Sequence, residues 1–295
     1  MKVLRKILLI VLGFLLGLKL IDLAVYKVLD VVYSRTLVGQ NGGKLNYYLQ
    51  MDTVPDVLIM GNSRLFYMLN PDSFHVKKGF NIGHAGMDQC FQNCLLSVII
   101  DHKKIPSKVL LLIEPEFFML ADTTEFHSKD SQRLKYYYGD DSLVTAYVNE
   151  ISRFERTKFF FESYRFFGRV INMMLNYLQT RRNLKATGNG FEGLPPTAQD
   201  SIRTEYSSKN HPKFKSYLNK GAERYLLDFL KLAENNGIKV DCITAPDYYK
   251  CDTTGLYPAR RFLDSLFSSN HITFIDYQRN HPADIRFQDP AYWND

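Results

Sequence analysis

The chain has 295 residues, 45% of them apolar and 23% charged, with 17 Gly, 11 Pro and 4 Cys. That mixture excludes a collagen repeat, a low-complexity disordered chain and a small disulfide-held scaffold. The net charge is +6. Residues 1–34 carry half of it, through Lys2, Arg5, Lys6, Lys19 and Lys27 against Asp22 and Asp30, so the remainder is too dilute to mark a nucleic-acid surface.

Ile7 to Leu18 is apolar apart from glycine, Leu20 to Val32 continues mostly apolar, and Lys2, Arg5 and Lys6 stand before the run. This pattern predicts a membrane helix over residues 1–34, with its basic end in the cytoplasm and the following domain outside the cytoplasmic membrane. Lys19 and Asp22 are spaced to snorkel or pair near the outer face. A cleaved signal peptide is the rival reading. No clear small-x-small cleavage site follows Leu18, which favours an uncleaved anchor. Residues 35–54, with Gly39-Gln40-Asn41-Gly42-Gly43, read as a linker or first loop.

From residue 55 onward, short apolar runs alternate with helical periodicity. Strands are expected at Asp56–Met60, Gly79–Gly83, Lys108–Ile113, Ile238–Thr244 and Ile272–Ile275. Helices are expected at Met87–His102, Phe214–Asn235 and Tyr257–Ser269. Between the third and fourth strands, residues 140–185 predict a helical insertion rich in Phe, Tyr, Met, Arg and Lys. Its readings are a helical pair packed on the domain, a cap over the site, or a surface resting on the membrane. Lys185 to Pro212 reads as a loop. The alternation implies one α/β domain over 55–295, a flavodoxin-like parallel sheet of about five strands with helices on both faces. Cys90, Cys94, Cys242 and Cys251 lack zinc-site spacing and read as buried thiols.

Ligands of such sheets sit beyond the carboxyl ends of the strands. There the sequence reads Gly61-Asn62-Ser63-Arg64 after the first strand, Asn81-Ile82-Gly83-His84-Ala85-Gly86 after the second, and Glu114-Pro115-Glu116 after the third. A serine at the first turn sits at the sheet edge, and a helix starting there aims free N–H groups at a developing oxyanion. The plainer reading is a turn with Ser63 as helix N-cap. Glu114 and Glu116 lie two apart in a proline-containing segment and make a poor pair for glycoside chemistry. With no Walker loop, Gly-x-Gly-x-x-Gly or His-Glu-x-x-His, no nucleotide or metal cofactor is expected.

The two blocks 57–64 and 81–86, with the strand Val109–Ile113, resemble the SGNH (GDSL-like) hydrolase superfamily. The closest likeness is to its membrane-anchored bacterial branch of surface-polysaccharide acyl-transfer proteins. The likeness covers residues 55–118 well and the rest only as strand-helix order. It implies Ser63 as nucleophile, with the backbone N–H groups of Ser63 and Gly86 as an oxyanion hole. Asn62, Arg64, Asn81, Gly83, His84 and Glu114 would line the site. Two departures stand out. The family's third block supplies an asparagine where this chain has Glu114. The family's closing Asp-x-x-His is matched only by its approach, Asp289 to Asp295, with Asp295 in the aspartate's place. The histidine is then expected just past the last residue, and a chain ending at Asp295 would be impaired for want of its base. Within the chain, His84, His271 and His281 are the remaining candidates. The resemblance implies an esterase or O-acyltransferase acting on acyl esters of cell-surface glycans, with a membrane acyltransferase among its partners. The rival is a catalytically inactive binding or assembly protein on the same fold.

Overall fold

A computed structural model of the chain describes residues 2–73, 78–119, 130–182, 188–193, 218–245 and 254–279. Five parallel strands form one sheet: β1 (Val57–Met60), β2 (Gly79–Asn81), β3 (Lys108–Leu112), β4 (Lys239–Thr244) and β5 (Thr273–Asp276), in the order β2-β1-β3-β4-β5. Leu58 pairs with Phe80 on one side and Val109 on the other, and Cys242 pairs with Phe274. This is the doubly wound, flavodoxin-like order. β1 is buried along its whole length, as its unbroken Val-Leu-Ile-Met run requires.

The helices are α1 (Lys2–Ser34), α2 (Gly43–Gln50), α3 (Ser63–Met68), α4 (Gln89–Asp101), α5 (Ser142–Ile151), α6 (Glu155–Lys158), α7 (Val170–Arg181), α8 (Lys220–Asn235) and α9 (Tyr257–Ser269). Shorter 3₁₀ turns cover Pro115–Met119, Asp130–Tyr137 and Glu162–Phe166. Asp88 caps α4 by accepting from the Cys90 and Phe91 N–H groups, and Asn219 caps α8. Cys90, Cys94, Leu95, Val98 and Ile99 of α4 and Leu226 and Phe229 of α8 build the main core with Leu58, Val109 and Leu111. Cys90, Cys94 and Cys242 are buried free thiols; Cys251 lies outside the described residues.

Two expectations change. The segment read as a linker contains α2, whose Leu45 and Tyr48 belong to the main core. Its Asn46 carboxamide donates to the carbonyls of Tyr33 and Thr36, closing the end of α1. The insertion is not a helical pair. It is broken into α5, α6, a 3₁₀ turn and α7, with Gly168 at φ 80° in the last bend.

α1 is long and apolar enough to cross a membrane. Its second half is fastened to the insertion. Asp22 accepts from the backbone N–H groups of Glu162 (2.8 Å) and Ser163 (3.0 Å) and from the Ser163 hydroxyl (2.6 Å). Tyr136 donates to Asp30 at 2.6 Å and stacks on Tyr33 with ring centroids 3.9 Å apart. Asp22→Ala removes a charged acceptor from three donors at once. The expected cost is about 3 kcal/mol, read as faster hydrogen exchange at the Glu162 and Ser163 amides with the sheet amides unchanged.

Candidate functional site

In the order β2-β1-β3 the chain leaves β1 for one neighbour and later returns to the other, so a crevice opens at the carboxyl ends of β1 and β3. Gly61 sits at its floor. A Cβ there would lie 2.6 Å from the Leu112 Cβ, so glycine is what lets the exit of β1 pass this close to β3. The next residue, Asn62, caps α3 by accepting from the Arg64 N–H at 2.9 Å. The capping role considered for Ser63 therefore falls to Asn62, and Ser63 becomes the first residue of α3, half-buried. Among the described residues the Ser63 hydroxyl has no hydrogen-bond partner.

Glu114 enters from the end of β3. It is buried, accepts from the Asn62 carboxamide at 3.0 Å, and lies 3.2 Å from the Arg64 guanidinium. The Glu114 carboxylate is thus held by the residues on either side of Ser63, and Arg64 offsets its charge. Burial, and then the neighbouring Glu114, push the Glu116 carboxyl above its usual range. Gln278, just past β5, donates to it at 3.0 Å.

The second block packs directly against the first. The His84 N–H donates to the Gly61 carbonyl at 2.9 Å, and the Gln92 carboxamide of α4 donates to the same oxygen at 3.1 Å. Two residues on, Gly86 is exposed at φ 70°, with open space where a side chain would stand. Among the described residues, neither the Ser63 N–H nor the Gly86 N–H meets an acceptor. Gly83 is buried, with its N–H taken by Asn81. Asn81 itself is wholly buried and does not line the site. Its carboxamide donates to the Leu65 (2.7 Å) and Leu69 (2.9 Å) carbonyls and accepts from the Gly83 N–H (2.9 Å), clamping α3 to the end of β2.

The described histidines do not supply a base for Ser63. His84 has Nδ1 2.8 Å from the Ile82 carbonyl oxygen and Nε2 3.1 Å from that of Gln40, so both ring nitrogens face backbone carbonyls, and the neutral ring donates to one of them. Burial, then the nearby Lys44, lower its pKa to about 3. His271 precedes β5 and stands at the amino edge of the sheet, away from the crevice. His281 and Asp295 lie outside the described residues.

The depressed His84 pKa gives a pH prediction. The imidazole stays neutral in the fold while the unfolded chain takes up a proton below about 6.5, so its contribution to stability is lost as pH falls from there toward 3. The Asp130 carboxyl, raised to about 7 by burial and by Asp88, acts in the opposite sense. Comparison with His84→Gln isolates the histidine: the stability difference is expected to shrink by about 1.4 kcal/mol per pH unit below pH 6 in denaturant titrations.

Two hollows flank the Gly86 loop. One, of about 20 Å³, lies between Gly61, Asn62, Met87, Gln92 and Glu114, a volume on the scale of one water molecule. The other, of about 420 Å³, is lined by Gln40, Asn41, Ala85, Arg133, Asn176 and Gln179 among others. Sequence reasoning missed the residues that build this second hollow. Lys44 lies under it, its Nζ 3.7 Å from the Phe66 ring centroid and 3.3 Å from the Gly83 carbonyl oxygen, with burial lowering its pKa to about 7 against the opposing pull of Glu192. The only local signal was the glycine pair before it. No protein-family model matches the chain, and no curated protein matches it either.

Proposed function

We propose that the protein is an SGNH-like serine esterase or O-acyltransferase of the cell envelope, held by α1 as an uncleaved anchor with its amino end in the cytoplasm. The observation that carries this reading is Ser63: a hydroxyl with no hydrogen-bond partner among the described residues, on the first turn of α3 at the switch point of the sheet, one residue past the Gly61-Asn62 turn whose Gly61 carbonyl accepts from His84 of the Gly86 loop. In the proposed reaction Ser63 attacks an acyl ester, and a base takes its proton. The Ser63 and Gly86 N–H groups receive the oxyanion, the ester C–O bond breaks as the protonated base gives its proton to the departing alcohol, and the acyl group then passes from Ser63 to water or to a sugar hydroxyl. The larger hollow supports a glycan as acceptor, because its carboxamides both donate and accept, as hydroxyl groups do. The fastening of Asp22, Asp30 and Tyr33 to the domain supports retention of α1.

A second reading, an inactive binding or assembly protein for envelope glycans, is favoured by one observation. Glu114 occupies the place of an oxyanion donor, and its grip uses up the Asn62 carboxamide. A serine-reactive fluorescent phosphonate separates the two. Labelling of the wild type that maps to Ser63 and vanishes in Ser63→Ala supports the enzyme. Equal labelling of both proteins establishes the binding module.

A further inference from the structure

We infer that the tip of the insertion, Phe154 to Phe161, is seated in the outer leaflet of the same bilayer that α1 crosses. The inference rests on α1 being a retained anchor. Between Lys6 and Lys19 the apolar run Ile7–Leu18 rises about 18 Å, whereas the hydrocarbon layer is ~30 Å thick. The remaining thickness, about eight residues, falls on the turns that follow Lys19 and reaches about Tyr26.

Those turns are the ones that hold the tip. Lys19 Nζ donates to the Phe160 carbonyl and lies 5.0 Å from the Phe160 ring centroid. Asp22, three residues on, holds the Glu162 and Ser163 N–H groups. The height of the tip along α1 is therefore fixed, and it stands at membrane depth. The polar groups of α1 at that depth are paired, Lys19 with Asp22 at 3.4 Å and Asp22 with its three donors, as a low-dielectric setting requires.

The surface that the tip offers has the matching chemistry. Phe160 is 60% exposed, Phe154 56% and Phe161 40%. Among them stand exposed Arg153 and Arg156, which have no acidic partner among the described residues. At the level of Lys19 the rings meet acyl chains, and the long arginine side chains reach up toward anionic headgroups.

Depth-dependent fluorescence quenching tests this on the full-length chain in vesicles of phosphatidylethanolamine and phosphatidylglycerol. The native tryptophan is removed as Trp293→Phe, and single indoles are introduced as Phe160→Trp and, independently, Phe161→Trp. Leu12→Trp in α1 serves as reference, and Tyr257→Trp, at an exposed position at the start of α9, as the water control. The expected result is a blue-shifted emission at both tip positions. Most of it should be lost to lipids brominated deep in the acyl chain, less to lipids brominated near the headgroup, and little to iodide in the water. With the Leu12→Trp indole quenched by deep bromines, tip indoles that iodide quenches as fully as the Tyr257→Trp indole overturn the seating and leave the anchor standing. Tip indoles shielded from both quenchers also overturn it, in favour of a covering protein. A Leu12→Trp indole untouched by brominated lipid overturns the anchor reading and the seating with it.

Discussion

On the proposed mechanism, with its base in place, Ser63→Ala is expected to lower turnover of acyl esters on the order of 10⁴–10⁶-fold, while thermal unfolding stays where it was. The first half follows from chemistry: without the hydroxyl no acyl-enzyme forms, and only binding and the two N–H donors remain. The second half follows from geometry. The hydroxyl has no partner among the described residues, Asn62 caps α3 in its place, and alanine is a better helix former than serine. A large kinetic loss without a stability loss separates a reacting group from a structural one. Steady-state hydrolysis of an aryl ester beside a calorimetric scan measures both. A parallel loss in both would mean that Ser63 is holding the turn together.

The largest expected stability loss lies elsewhere, at Asn81→Leu. The two side chains share one branched outline, but the methyl groups are bulkier, so some overpacking adds to the loss. Leucine leaves the Leu69 carbonyl and the buried Gly83 N–H without the partner they have here, and leaves the Leu65 carbonyl only the Leu69 N–H. The combined cost is about 4 kcal/mol, or roughly 10 °C in melting temperature for a domain of this size. Activity should fall with it, because Asn81 fixes both the end of α3 and the turn that leads to Gly86. Differential scanning calorimetry reads the effect, and Asn81→Asp, which turns a buried carboxylate oxygen onto the Leu65 and Leu69 carbonyls, should lose at least as much at neutral pH and recover part of it as the carboxyl takes up a proton.

The contrast between Ser63 and Asn81 shows what the sequence could reveal. Strands β1 and β3 were legible because a buried parallel strand has no polar side to hide, and Val57–Met60 and Lys108–Leu112 read as unbroken runs. α9 matched its expected bounds of Tyr257–Ser269, since Ala259, Leu263 and Phe267 recur at four-residue spacing. The sheet edge, and the residues gathered there, follow from that alternation alone. What remained hidden depends on partners distant in sequence. Asn81 looked like a lining residue because nothing local shows which way a carboxamide turns. Glu114 meets Asn62 only through the register of β1 on β3. The insertion lost its helical periodicity at Phe159–Phe161, and the turn after it is held by Asp22 on a helix 140 residues earlier. α2 was taken for a linker because two glycines precede it, while its stability comes from Leu45 and Tyr48 in a core assembled later.

The path of the chain through the sheet has a consequence for its synthesis. Among the described residues, the backbone leaves the sheet after Leu112 and rejoins it at Lys239, although β3 and β4 end up as hydrogen-bonded neighbours. At ribosomal speeds, β3 waits on the order of ten seconds for its second neighbour. During that interval its apolar flank is an open template for another nascent chain. Yield in a producing cell should therefore depend on how quickly residues 239–244 follow, and slowing translation between these strands should send more of the product into aggregates.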